Sequence, residues 1–168
     1  QVDKKDPSKD NILNSHSVID YEEFIQLGDP DYKWLMPENE WDAISVGYTS
    51  GTTGDPKGVV SHHRGAYLLA QGNALVASMP KHSVYLWTLP MFHCNGWCFP
   101  WTLSVIIGTH VCLRQVRAEP IWKSIKDHKV SHLCGAPIVM SIILSMENQQ
   151  DYQLEHQVQF FTAAAPPP

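Results

Sequence analysis

Clusters of basic residues are missing from this sequence. Lys and Arg number 12 against 17 Asp and Glu, for a net charge of −5, and nowhere do they form a run. That balance excludes the electrostatic footprint by which a protein holds nucleic acid or an anionic membrane surface. Long apolar stretches are missing too: the longest, 133–146, is interrupted by Gly135, Pro137 and two serines, short of the roughly 18 residues a membrane span needs. The opening QVDKKDPSKD has neither an initiator methionine nor the apolar core of a secretory signal. No C-x-x-C pair and no N-x-S/T site occurs, so Cys94, Cys98, Cys112 and Cys134 read as reduced thiols. These absences together point to an intracellular setting, cytoplasmic or peroxisomal, with no targeting signal in view and no nucleic-acid partner. Oligomeric state is not legible.

What the chain has is 168 residues at 43% hydrophobic composition, enough for one sizeable core. It starts on Gln1 and stops at Ala165-Pro166 just after a strand-like stretch, where a connection onward is expected. The expectation is therefore an internal piece of a longer protein: an irregular segment over 1–19, then a partial domain over 20–168.

An α/β alternation runs along that second part. Asp20 with Glu23 has capping-box spacing, and a short helix is expected to end at Gly28. After an irregular proline-rich and acidic connection, the sequence predicts strands over 43–48, 58–61, 84–89, 109–113, 130–133 and 158–162. Helices are predicted over 64–78, 96–107, 119–128 (Pro120 in its first position) and 137–146. Strands separated by helices imply a mostly parallel sheet covered on both faces. Such sheets place their sites at the carboxyl ends of strands, where the turns after 48, 89 and 162 would meet.

The stretch YTSGTTGDPKG, residues 48–58, is the strongest chemical signal. Thr49, Ser50, Thr52 and Thr53 surround Gly51 and Gly54 ahead of Lys57, many more small donors than a surface turn requires. A glycine-rich turn adds backbone N–H groups, and a lysine adds a point charge on a flexible stem; the natural guest is a polyphosphate. It is not a Walker loop, because Pro56 stands where that pattern has glycine and Gly58 follows the lysine. Nor is it the dinucleotide fingerprint, since Gly51, Gly54 and Gly58 are three and four apart.

The string resembles the signature loop of the adenylate-forming superfamily, which includes acyl-CoA synthetases, coumarate-CoA ligases, luciferases and the adenylation domains of peptide synthetases. That resemblance implies that Thr49, Ser50, Gly51, Thr52, Thr53, Gly54 and Lys57 bind the β- and γ-phosphates of ATP. A carboxylate would attack the α-phosphorus, and donors preset around departing magnesium pyrophosphate would lower the barrier. LPMFHCNGW, 89–97, resembles the superfamily's second segment, which makes His93 the candidate catalytic side chain near the acid and the adenylate. By itself such a histidine also reads as structural. A zinc reading of His93, Cys94 and Cys98 lacks a fourth ligand at finger-like spacing.

FFTAAAP, 160–166, resembles the family's string along the adenine, so Thr162, Ala163, Ala164 and Ala165 are candidates for the adenylate pocket. Alanine there replaces a frequent glycine. His62, His63 and Arg64 read as a solvated or backbone-bonded face at a helix start, and Cys134-Gly-Ala-Pro137 reads equally as a channel border or a strand-to-helix turn.

The fold implied is an incomplete piece of the N-terminal domain of these enzymes. The function implied is acid–thiol ligation by a short- or medium-chain acyl-CoA synthetase, using ATP, Mg2+ and coenzyme A, with the chain by itself inactive. Segments carrying the magnesium-assisting glutamate, ribose-binding aspartate and adenylating lysine do not occur in it. Alternatives left open are a non-catalytic nucleotide-binding piece and an adenylation domain serving a carrier protein. A kinase or NTPase would need a Walker lysine–serine pair that is not found.

Overall fold

In the computed structural model, which describes residues 19–51, 54–163, 165 and 166, two compact units divide at Met36 and Pro37. The first contains α1, Tyr21–Ile25, started by Asp20, whose carboxylate accepts the Glu22 N–H at 2.9 Å. Glu22 and Glu23 place negative charge at the positive end of this helix. Most of the segment expected to be irregular, 1–18, lies outside the described residues.

The second unit is organised by β3, Val84–Trp87, whose side chains alternate between two cores. Tyr85 and Trp87 face Met79, Phe99 and Leu103 on one side. Leu86 faces Ile121, Ile125, Val130 and Leu133 on the other. Buried on both faces, β3 is central in a four-stranded parallel sheet of order β4-β3-β5-β6, with β4 at Thr109–Cys112, β5 at His132–Gly135 and β6 at Gln159–Thr162. Parallel pairing requires crossovers, which helices supply. The helices of this unit are α2 (His63–Val76), α3 (Cys94–Trp97), α4 (Phe99–Val105), α5 (Ala118–His128) and α6 (Pro137–Leu144). Ile121 and Ile125 lie one turn apart on α5, which is why that helix buries a single stripe against the sheet.

Two segments differ from expectation. The strands expected on either side of the hydroxyl-rich loop form, but not in the parallel sheet: β1, Ala43–Tyr48, and β2, Gly58–His62, pair antiparallel as a hairpin outside the four-stranded sheet, with Tyr48 opposite Gly58. Nine intervening residues suffice for a hairpin return, whereas a parallel crossover takes a dozen or more. The helix expected over 96–107 is also broken, at Cys98. Pro120 stands third in α5, and the strand expected at 130–133 begins at His132 because Val130 instead closes the end of α5, its N–H on Ile125 O.

Among the described residues no helix is long and apolar enough to cross a membrane.

Candidate active site

The hairpin loop is shut at its mouth by a reciprocal pair. Thr49 N–H donates to Lys57 O at 3.0 Å, and Lys57 N–H donates to Thr49 Oγ1 at 3.0 Å. Since Thr49 uses its oxygen as an acceptor, its hydroxyl proton is left for donation elsewhere. Inside, Gly54 N–H approaches Gly51 O at 3.4 Å, and Gly51 has φ +69°. A Cβ at Gly51 would lie 2.7 Å from Gly54 O, so both the conformation and the space demand glycine. Ser50, Gly54 and Lys57 are exposed. Thr52 and Thr53 lie outside the described residues.

Three strand ends, those of β3, β5 and β6, form the second component. Gly135 and Thr162 are paired neighbours at the carboxyl ends of β5 and β6, and Thr88, just past β3, donates to Cys134 O at 2.5 Å. This is the carboxyl edge at which α/β sheets carry ligands. Thr162 Oγ1 is the one buried side-chain nitrogen or oxygen without a hydrogen-bond partner among the described residues. A polar atom buried in that condition is costly unless something else meets it. Ala163 and Ala165 are exposed beside it, and Ala164 lies outside the described residues.

His93 follows β3 on the same edge and is exposed, without a capping hydrogen bond from its side chain. Its neighbours are unusual. Cys94, Asn95, Gly96, Trp97 and Cys98 have φ of 45°, 47°, 58°, 52° and 66°, a continuous left-handed turn. Each L-residue in that conformation costs about 1–2 kcal/mol, with asparagine the most tolerant. Specific bonds hold the turn. Asn95 Nδ2 donates to Ser45 Oγ of β1 at 2.6 Å, Asn73 Nδ2 donates to Trp97 O at 2.9 Å, and Gly96 lies against the Trp87 indole. The sequence reading missed Asn73, Asn95 and Ser45; the Asn95-Gly96 dipeptide was the available turn signal.

Beside this turn lies a cavity of about 600 Å³, between β2, α2 and α3–α4. Its apolar wall includes Val60, Leu69, Trp97 and Trp101, with Asn73 and Asn95 among the polar lining. None of the residues expected to bind phosphate or adenine lines it. The cavity fits a hydrocarbon better than an anion.

His62 proves to be the N-cap of α2, its Nδ1 accepting the Gly65 N–H at 2.9 Å. Arg64 pairs with Glu40 at 2.9 Å. His62 thus caps the backbone and also lines the cavity, while Arg64 serves the surface. Cys134-Gly-Ala-Pro137 is a strand-to-helix turn, where a Cβ on Gly135 would press on Val139 at 2.9 Å. Burial pushes the Cys134 thiol up to about 11, while its hydrogen bond with Tyr85 pulls the other way. Burial and the raised pKa both disfavour the thiolate that a nucleophilic cysteine needs.

A family model described as AMP-binding enzyme matches residues 1–168. The chain is similar to the peroxisomal acetate/butyrate–CoA ligase of Arabidopsis thaliana, 51% identical over 163 residues, covering 96% of this chain and 29% of that protein. It is 45% identical over 164 residues to an acetate–CoA ligase of Humulus lupulus, covering 97% of this chain and 29% of that protein. The chain thus spans 29% of the length of these two relatives. Among solved structures, the inhibitor-bound N-terminal domain of FACL13 from Mycobacterium tuberculosis shares the fold, with a TM-score of 0.79 and 24% identity over 88% of this chain and 37% of that one. The o-succinylbenzoate–CoA synthetase of Bacillus subtilis, solved with ATP and magnesium ion, matches at TM-score 0.68 and 24% identity over 77% of this chain and 27% of that one. With a parallel sheet of the same fold, a glycine- and hydroxyl-rich hairpin loop and a family match along its whole length, the chain belongs to the AMP-binding enzyme family.

Proposed function

We propose that this chain forms the phosphate-holding and acid-facing part of an ATP-dependent acid–thiol ligase, in a polypeptide of the length of its relatives. A carboxylic acid is converted to its acyl-adenylate with release of pyrophosphate, and coenzyme A then takes the acyl group and releases AMP. The observation that carries this reading is the hairpin loop closed by Thr49 and Lys57 over an obligatory Gly51. Its hydroxyls, amides and ammonium group suit a polyphosphate and little else.

ATP supplies the electrophilic phosphorus and a leaving group. This chain's residues then have separate tasks. Thr49, Ser50, Thr52, Thr53 and Lys57 hold the outer phosphates and stabilise charge as it builds there. Thr162, with its orphaned hydroxyl, offers a hydrogen bond to the adenylate, and the exposed Ala163 and Ala165 lie beside it. His93 faces the acid, whose alkyl part enters the cavity between α2 and α4. Among the described residues no group of three His, Cys, Asp or Glu side chains is arranged to hold a metal. Magnesium would enter with the triphosphate and neutralise charge on its oxygens.

The names of the relatives suggest acetate, butyrate or another short- to medium-chain acid, and a peroxisomal setting. The test is carboxylate-dependent exchange of labelled pyrophosphate into ATP. A polypeptide of the relatives' length exchanges with short-chain acids, and residues 1–168 alone do not. Absence of exchange in the longer polypeptide with any acid from acetate to decanoate contradicts the proposal; ATP binding without exchange would favour a non-catalytic nucleotide-binding role.

A further inference from the structure

The left-handed turn after His93 poses a mechanical problem. Five consecutive residues adopt a conformation that L side chains avoid, and the histidine at its head has no side-chain cap bond of its own. His93 is therefore located by the turn, and the turn by whatever holds it. Backbone bonds close it internally: Gly96 N–H meets His93 O at 2.9 Å and Cys98 N–H meets Asn95 O at 3.1 Å. Gly96 seats it on Trp87, and Asn73 anchors Trp97 O from α2. Among the side-chain bonds of the turn, that from Asn95 Nδ2 to Ser45 Oγ reaches the hairpin.

Ser45 is placed for this contact. The β1–β2 register slips between Ala43 and Ser45, and such a bulge re-aims the side chain beside it. From Ser45 the strand runs to Tyr48 and straight into the loop at Thr49. A hydrogen bond of 2.6 Å thus connects the segment carrying His93 to the stem of the loop.

We infer that Asn95 is a positioning residue, which through Ser45 keeps the histidine-bearing turn in register with the phosphate loop, so that the acid and the triphosphate are presented to each other. The inference rests on the adenylation reading of the site. Asparagine suits the post twice: it tolerates the left-handed conformation, and its amide reaches across to a hydroxyl. In-line attack on phosphorus depends on alignment, and a misplacement of about 1 Å can cost on the order of 100-fold in rate.

The experiment separates the tie from the backbone. Asn95→Gly keeps the left-handed conformation and removes the amide, Ser45→Ala removes only the partner, and Ser45→Thr keeps a hydroxyl. In a polypeptide of the relatives' length, Asn95→Gly and Ser45→Ala each lower kcat for adenylate formation roughly 10- to 100-fold, with little change in KM for ATP. The double variant is no worse than either single one, and Ser45→Thr regains most of the rate. Additive losses, a wild-type kcat in Ser45→Ala, or a loss confined to KM overturns the inference.

Amide hydrogen exchange on residues 1–168 supplies a readout independent of activity. In Ser45→Ala the Gly96 and Cys98 amides lose about tenfold in protection, while those of α5 are unchanged. Unchanged protection at Gly96 and Cys98 overturns the inference as well. If the wild type exchanges no pyrophosphate but the amides respond as stated, adenylation fails and the tie survives as a structural link.

Discussion

Substituting Gly96 by alanine tests the left-handed turn where it meets the core. The added Cβ would lie 2.9 Å from Cζ3 and 3.1 Å from Cη2 of Trp87, and 3.3 Å from Cα of Met91. Trp87 has little room to yield. It is 5% exposed, packs edge-on against Tyr85 with centroids 4.9 Å apart, and donates its indole N–H to His110 Nδ1 at 2.9 Å. Two penalties add. At φ +58° an alanine costs about 1–2 kcal/mol in conformation, and forcing a methyl group into a packed site costs about 1–3 kcal/mol more. The expected loss is about 2–5 kcal/mol, a large share of the roughly 5–15 kcal/mol that holds a domain folded. Gly72 is the matched control, since it sits inside α2 with nothing within 4 Å of its would-be Cβ. Alanine there should stabilise by about 0.5–1 kcal/mol. Urea unfolding of residues 1–168, followed by tryptophan fluorescence and circular dichroism, measures both. A Gly96→Ala variant within about 0.5 kcal/mol of wild type would refute the geometry assigned to the turn.

Three further expectations follow from burial. In the native protein Cys94 and Cys112 react promptly with a thiol reagent such as Ellman's, whereas Cys98 and Cys134, buried and with thiols pushed up by burial, react only on unfolding; a third fast thiol contradicts this. His132 is buried, with Nε2 on Ala77 O at 3.2 Å and Nδ1 on Ser131 Oγ at 2.8 Å, and desolvation lowers its pKa below 6.5. The unfolded state then binds the proton more readily, so this contribution is present above pH 6.5 and is lost as pH falls through that value and below. His132→Gln should flatten the fall in urea midpoint between about pH 7 and 5, and an identical slope in both proteins contradicts it. Leu103, 1% exposed in the Tyr85–Phe99 core, should cost about 2–5 kcal/mol on change to alanine, and a shift under about 1 kcal/mol in the same unfolding assay would mean the site collapses freely.

The parts of this fold that were legible in the sequence are those governed by local rules. Apolar periodicity and punctuation located β3, β4, β6 and α5 to within a few residues, because the apolar residues that pack each on a core, such as Leu86, Val111, Phe160 and Ile121, are marked in its own sequence. Less visible was anything fixed by distant partners. The trace of Gly58, Val59 and Val60 announced a strand but not its direction, which pairing with 43–48 decides. Cys94, Trp97 and Cys98 carry no sign of positive φ, since the turn is held by distant partners: Asn73, which donates to Trp97 O from 24 residues away, and Ser45, which accepts from Asn95 from 50 residues away. Strand β3 stops short at Trp87, and Thr88 turns its hydroxyl to Cys134 O instead. The site divides in the same way. Thr49, Gly51 and Lys57 stand in one contiguous string, so the closed turn they form was readable from it. Asn95 and Ser45 were not, because a hydrogen bond between two ordinary polar residues leaves no spacing to detect. The cavity was likewise out of reach, its walls being drawn from β2, α2 and the segment of α3 and α4.

Changing Lys57 to alanine in a polypeptide of the relatives' length, and timing a single turnover of acyl-adenylate formation at saturating acid, goes straight to whether the hairpin loop serves a departing pyrophosphate. A charge held against the outer phosphates in the transition state predicts a fall of about 100- to 1,000-fold in rate, with the fold and the acid's affinity retained. A rate equal to wild type would mean that the loop holds no phosphate during the reaction, and the account of this site would be wrong.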